Sequence, residues 1–312
     1  MSNKAVIITG PTASGKSSAA LCAAKKHNGV IISADSMQIY RSMDIGSAKP
    51  TADETACVEH RMIDILDIGE QYSVADYKQR AEREIASVLS SGRLPIICGG
   101  TGLYIDALYY NNEYCQFDCP PEIRESLTAE LRCIGGEAML KRLAAVDPES
   151  AAKLHPKDHK RIVRALEVYY ATGSTLTEFN AQSRNKQSEY DFLNIVLCFR
   201  DREKLYERIN SRVDKMVADG LIEETKRLIS QGLLESATAS QAIGYKELCG
   251  YLSGNETLEE ALELLKRRTR NYAKRQITWF NRYTDAVQIY KDECEDVDDA
   301  VEREITHFLN KG

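Results

Sequence analysis

The residues best equipped for chemistry come early in the chain. Gly10, Pro11, Thr12, Ala13, Ser14, Gly15, Lys16 and Ser17 form a G-x4-G-K-S run, directly after the apolar stretch Ala5–Thr9 and before an alanine-rich stretch over residues 18–26. Glycines in such a run let the backbone curl so that successive N–H groups aim at phosphate oxygens. The amino end of the following helix adds partial positive charge. Lys16 would neutralise phosphate charge, and Ser17 would offer an oxygen to Mg2+. The pattern predicts a phosphate cradle without naming the phosphate compound; the alternative is a glycine-rich turn that binds nothing.

Loops of this kind that handle ATP usually work with a carboxylate at the end of another central strand. Here the apolar run Leu94–Cys98 leads into Gly99, Gly100, Thr101 and Gly102, with no acid. The best-placed acid is Asp35, just past the run Val30–Ser33. The carboxyl ends of parallel strands line a ligand crevice, so Asp35 is expected to face the cradle, as a general base serving an acceptor would. The alternative for an isolated aspartate after a strand is a turn former.

The elements that must position these groups are a set of short β-rich runs: Ala5–Thr9, Val30–Ser33, Leu94–Cys98, Leu193–Phe199 and Ala286–Tyr290. Long helical patterns separate most of them, which predicts an α/β fold with a buried parallel sheet covered on both faces. Residues 118–189 carry no comparable strand run, but do hold Pro120, Pro121 and a break at Gly135 and Gly136. They read as a mostly helical insertion domain, leaving 1–117 and 190–312 as the core. The 312 residues are 43% hydrophobic and 28% charged, ordinary globular values that exclude disorder and collagen-like repeats. No apolar run suits a spanning helix, and the first residues run straight into a strand without a signal-peptide pattern, so a cytoplasmic chain is expected. Nine scattered cysteines, of which only Cys115 and Cys119 lie close together with no histidine nearby, read as idle thiols rather than a zinc site. Of 47 acids and 41 bases, eight acids and two bases lie from Asp292 onward, leaving 39 of each sign before it. The acidity is thus a property of the tail, expected to be a solvated helix or frayed, and a balanced body can still carry basic patches for nucleic acid.

Taken together, the blocks GPTASGKS (10–17), DSMQIYRSMDIGSAKP (35–50), GGTGLY (99–104), RALEV (164–168) and YAKRQITWF (272–280) closely resemble the bacterial tRNA dimethylallyltransferase family across nearly the whole chain. Eukaryotic members append a zinc-finger segment that this sequence lacks, which favours the bacterial form. The resemblance implies a P-loop NTPase-like core that transfers a dimethylallyl group from dimethylallyl diphosphate to N6 of adenosine 37 in tRNA, beside the anticodon. It implies Mg2+ as cofactor and a monomer working on the anticodon stem-loop, away from any membrane. The cradle then holds a leaving group, and Asp35 takes the proton of a weakly nucleophilic amine. By the same resemblance Thr101 contacts the reacting groups from the opposite wall, and an arginine of the helix beginning near Glu203 holds the diphosphate, with Arg208 the first choice. Arg212 and Lys215 share that helix face, where a solvated charged face is the alternative. RNA contacts are implied for Ser36, Met37 and Gln38, for Thr101 and Ile123, and for His159, Lys160, Arg161, Ile162, Val163 and Arg164. They are implied again for Ser240, Gln241, Ala242, Ile243, Gly244 and Tyr245, and for Lys274 and Arg275. Gln38 carries the donor and acceptor that an adenine edge requires. Six of the ten residues from Lys266 to Arg275 are basic, on one amphipathic helix whose Leu262, Leu265, Tyr272 and Trp279 read as core and whose cations read as phosphate contacts.

Two rival functions stand beside this one. A small-molecule kinase would use ATP on the same cradle, with Asp35 as base for a hydroxyl. A non-catalytic RNA-binding protein regulated by a nucleotide would have no use for a base beside the cradle.

Overall fold

The computed structural model describes residues 3–112, 120–183 and 188–311. Cys115 and Cys119 lie outside the described residues. In chain order the elements are β1 (Lys4–Thr9), α1 (Lys16–Lys26), β2 (Gly29–Ser33), α2 (Ala52–Cys57), β3 (His60–Arg61), α3 (Val74–Ser90), β4 (Leu94–Gly99) and α4 (Gly102–Tyr109). Then come α5 (Pro121–Val146), α6 (Pro148–Ala152), α7 (His159–Thr172) and α8 (Leu176–Ser183). The chain closes with β5 (Asp191–Cys198), α9 (Arg202–Ala218), α10 (Leu221–Ser230), α11 (Cys249–Leu252), α12 (Leu258–Phe280), β6 (Val287–Tyr290) and α13 (Val297–Asn310). Two compact units result, one of Met1–Tyr109 with Ser188–Gly312 and the other of Tyr110–Gln187.

The larger unit is built on one six-stranded sheet in the order β3-β2-β4-β1-β5-β6, with every pair parallel. All five expected strands are present; β3, only two residues long at the edge, gave no apolar run to read. Side chains alternate across the sheet. Ile7, Ile32 and Ile97 face one layer with Tyr77, Ile85 and Ile105, while Val6, Ile8, Ile96 and Ile195 face the other with the alanines of α1. Ile7, Ile8, Ile32 and Ile96 are fully enclosed, each contributing about 1.5–3 kcal/mol of apolar burial. Of the two expectations for the acidic tail, the helix holds: α13 packs Val301 and Ile305 into the α1 layer, Asp299 stays exposed, and Glu302 pairs with His27 at 2.9 Å.

A further core, with Ile39, Tyr40, Met43, Leu221, Tyr245 and Leu265, holds the loop after β2 against α10 and α12. Glu224 of α10 anchors that loop. Its buried carboxylate accepts from the backbone N–H of Ile45 at 2.9 Å and Gly46 at 3.1 Å and from the Tyr245 hydroxyl at 2.8 Å.

The smaller unit is helical, around Leu127, Met139, Leu143, Ile162 and Leu166. The Gly135 break is a kink within α5, where Gly135 adopts φ 79°.

Candidate active site

All six parallel strands deliver their carboxyl ends to one edge of the sheet, and the glycine-rich loop, Asp35 and Thr101 follow three of those ends. β1 runs into the glycine-rich loop, β2 into Asp35, and β4 into Gly100 and Thr101. The β2 and β4 turns interlock: Ala34 N–H donates to Cys98 O at 2.8 Å, and Thr101 N–H to Ala34 O at 3.1 Å. That approach is so close that a Cβ on Gly99 would lie 2.1 Å from Ala34 O, so only glycine fits.

Helices α3, α9, α12 and α13 begin with a side chain that caps their free N–H groups and an acid in the first turn. Helix α1 has neither: its N-cap is Gly15 in the left-handed region, with no side-chain cap and no acid. Its amino end is left open to an anion.

A cavity of about 430 Å³ opens beside this end. Thr12, Lys16, Ser17, Asp35, Arg212 and Tyr272 give it a polar floor, and Leu21, Ile31, Val213, Met216 and Ile243 supply apolar wall. Burial lowers the pKa of the Lys16 ammonium; Cys98 and Asp35 oppose that shift and Arg212 adds to it. Burial likewise lowers Arg212, opposed by Asp35. Two half-buried cations thus share one carboxylate, an imbalance that a bound anion would correct. Asp35 Oδ1 accepts from Met37 N–H at 2.9 Å, so the residue forms a turn and lines the cavity at once. Thr101 Oγ1 accepts from Ser36 N–H at 3.0 Å, fixing the two walls to each other. Tyr272 stands among Asp35, Arg275, Thr101 and Gln276, and burial raises its hydroxyl pKa.

The sequence model of the IPP transferase family matches residues 38–283. The chain is 44% identical to the tRNA dimethylallyltransferase of Alkaliphilus oremlandii over 99% of both proteins. It is 45% identical to that of Acetivibrio thermocellus, over 97% of this chain and 96% of the relative. This chain belongs to the IPP transferase family. Among solved structures it resembles the tRNA isopentenylpyrophosphate transferase of Bacillus halodurans, with TM-score 0.70, 41% identity and coverage of 98% of this chain and 95% of that one. It also resembles a eukaryotic dimethylallyltransferase described as acting on tRNA, with TM-score 0.83, 27% identity and coverage of 98% and 79%. The core of this family member is accordingly the α/β, P-loop NTPase-like sheet expected from the sequence.

Within that family frame the arginine helix divides its cations. Arg208 Nε donates to Ala13 O at 2.9 Å, holding the glycine-rich loop, and Arg212 enters the cavity. Lys215 instead pairs with Asp219 at 2.9 Å, and its side chain is 74% exposed. Gln38 spends its amide on the protein: Oε1 accepts from Ser33 Oγ at 2.8 Å, and Nε2 donates to Ala48 O at 3.1 Å. It also lines the cavity, beside Asp35. Met37, Gln241, Ala242, Ile243, Gly244 and Tyr245 line the cavity, although Tyr245 is buried against Glu224 and Ala242 is likewise enclosed. Ser240 neighbours them on a short turn.

On α12, Lys266 pairs with Asp214 at 2.7 Å and Arg270 donates to Asn210, so these two cations serve packing against α9. Lys274 and Arg275 are exposed, and Arg275 reaches the cavity. In the smaller unit His159, Lys160 and Arg161 are exposed, Ile162 and Val163 point into the core, and Ile123 is half-buried against it. Arg164 donates to the buried Glu167 at 3.0 Å, as Arg124 does at 2.9 Å.

Four contributors escaped the sequence reading. Gln276 is buried where it bridges both loops: Oε1 accepts from Thr12 N–H at 2.8 Å, and Nε2 donates to Gly100 O at 2.8 Å. Tyr272, read as core, brings its hydroxyl to the cavity floor. Glu224 gave no signal beyond being an acid on an amphipathic helix. Lys291 follows β6 and therefore reaches the same edge; the rule that selected Asp35, the residue past a strand end, would have found it.

Proposed function

We propose that this protein transfers a dimethylallyl group from dimethylallyl diphosphate to N6 of adenosine 37 in tRNA, releasing diphosphate. The observation that carries the reading is the pairing, in one cavity with an apolar wall, of two half-buried cations beside an uncapped helix end with a single carboxylate across from them. Loop N–H groups, Lys16 and Arg212 hold the diphosphate, and the apolar wall receives the five-carbon chain. As the adenine N6 lone pair attacks the allylic carbon, the carbon–oxygen bond breaks and its electron pair leaves with diphosphate. The charge developing there meets fixed donors. Asp35 takes the N6 proton through the carboxyl oxygen not engaged by Met37, and Thr101 holds that wall in place.

Ser17 is the residue that would present an oxygen to Mg2+. Among the described residues no group of three His, Cys, Asp or Glu side chains could hold a metal ion alone, so diphosphate oxygens and water would complete its shell. Bound there, Mg2+ supplies further neutralisation of leaving-group charge.

Asp35 sits at strand-end depth, so adenosine 37 must be extruded from the loop stack to reach it. Exposed Lys160, Arg161, Lys274 and Arg275 are the phosphate contacts that would offset this cost. The family resemblance supports a monomer working in the cytoplasm. Separately, among the described residues no helix is long and apolar enough to cross a membrane. The test is incubation with unmodified tRNA, Mg2+ and labelled dimethylallyl diphosphate without any nucleotide. Label on adenosine is the expected result, whereas phosphoryl transfer from ATP with no prenylation would replace this reading with the kinase one.

A further inference from the structure

Lys16 and Arg212 line the cavity, while a second pair of cations, Lys291 and Arg208, meets the glycine-rich loop at Gly15 and Ala13. Lys291 is the first residue past β6, and its N–H donates to Cys198 O at 2.9 Å, which fixes its backbone at the carboxyl edge of the sheet. From there its side chain lies across Gly15: a Cβ at that glycine would stand 2.6 Å from Lys291 Nζ and 3.7 Å from Cε. The loop thus carries a glycine, with φ 92°, where any side chain would displace the ammonium.

The charge around Lys291 is unbalanced. Among the described residues no carboxylate lies within ion-pair distance of Nζ, and neighbouring acids are engaged elsewhere. Asp292 accepts from the backbone N–H groups of Arg200 and Asp201, and Glu293 pairs with Arg200 at 3.3 Å. The charged group that bears on Lys291 most is another cation, Arg208, itself fastened to Ala13 O of the same loop. Burial and Arg208 both lower the Lys291 pKa, and only Asp298 opposes them. Like charges beside an uncapped helix end disfavour each other's charged form, and a bound anion would relieve that. On the same loop the Ser14 hydroxyl is buried beside Gly10 with no hydrogen-bond partner among the described residues.

We infer that Lys291, backed by Arg208, is a further phosphate-contacting residue, closing on the diphosphate from the β5–β6 side of the loop while Lys16 holds it from the cavity side. The inference rests on the proposed reading of the loop as a diphosphate cradle. Two cations on opposite sides suit a ligand with two linked phosphate groups, and both would stabilise it more as it departs with an additional charge.

The experiment is calorimetric titration of the full-length protein with inorganic pyrophosphate in the presence of Mg2+. Wild type is compared with Lys291→Ala, with Lys291→Met, which keeps the apolar stem, and with Lys291→Arg. Affinity should fall about ten- to a hundredfold in the alanine and methionine variants, the range for losing one charged hydrogen bond, and return to within a few-fold in the arginine variant. Binding of an anticodon stem-loop should be unchanged in all three. Pyrophosphate bound equally by wild type and Lys291→Met overturns the inference and leaves the cradle standing. Loss in Lys291→Ala alone also overturns it, since stem packing rather than charge would then be responsible. Failure of wild type to bind pyrophosphate overturns the cradle and this inference with it.

Discussion

Replacing Asp35 by asparagine separates the two things this residue does. Its Oδ1 accepts from Met37 N–H at 2.9 Å, a turn contact that an asparagine carbonyl can keep and alanine cannot. A hydrogen bond of this kind is worth about 1 kcal/mol net, roughly fivefold in any rate that depends on it. Loss of a general base costs on the order of 10^2- to 10^4-fold, about 2.7–5.5 kcal/mol in the barrier. The two roles therefore differ by enough to be told apart. Asp35 is also the carboxylate that opposes the burial-lowered pKa of both Lys16 and Arg212. Neutralising it makes the floor more positive, so pyrophosphate should bind at least as well as to wild type. The expected outcome for Asp35→Asn is a single-turnover rate down by 10^2 or more, with diphosphate and stem-loop affinities retained, measured with labelled dimethylallyl diphosphate and an anticodon stem-loop. If Asp35→Asn turns over within about fivefold of wild type while Asp35→Ala fails, the carboxyl group is a turn former and the base assignment is wrong.

Gln276→Ala leaves Thr12 N–H and Gly100 O without their buried partner, a cost of about 2–6 kcal/mol. For a chain of 312 residues scanning calorimetry should show Tm lowered by about 3–9 °C, and an unchanged Tm would mean the bridge is not made in solution. Lys160→Ala with Arg161→Ala removes two exposed cations without disturbing the Arg164–Glu167 pair, so the slope of log affinity for a stem-loop against log salt should flatten by about 1.5. An unchanged slope would move the RNA path away from α7. Burial raises the pKa of Glu167, but bonds from Arg124 and Arg164 outweigh this and hold it below its usual 4.5. Its contribution to stability is therefore present above that value and lost as pH falls through the lower folded one. Denaturation from about pH 6 to about pH 3 should show a smaller acid loss in Glu167→Gln than in wild type, and equal losses would remove Glu167 from the account.

The glycine-rich loop, the strand runs and the position of Asp35 could be read from the chain because each is a local signal. Strands show as apolar runs, a cradle needs its glycines at fixed spacing, and a residue just past a strand must emerge at the sheet edge. What the chain could not say by itself is which edge residues meet. Arg208, Arg212 and Lys215 share one helical face by spacing, yet only the docking of α9 against the loop sends Arg208 to Ala13 O and Arg212 into the cavity while Lys215 turns to Asp219. Gln38 has the groups to read a base, and its use on Ser33 and Ala48 follows from how the loop after β2 folds back. Gln276 lies 264 residues from Thr12, and Lys291 comes to Gly15 only because β6 lies beside β5 and β5 beside β1. Short-range physics sets periodicity and turns, and therefore marks each strand end. The order of strands in the sheet is set by long-range packing, and that order decides which charges converge on one anion.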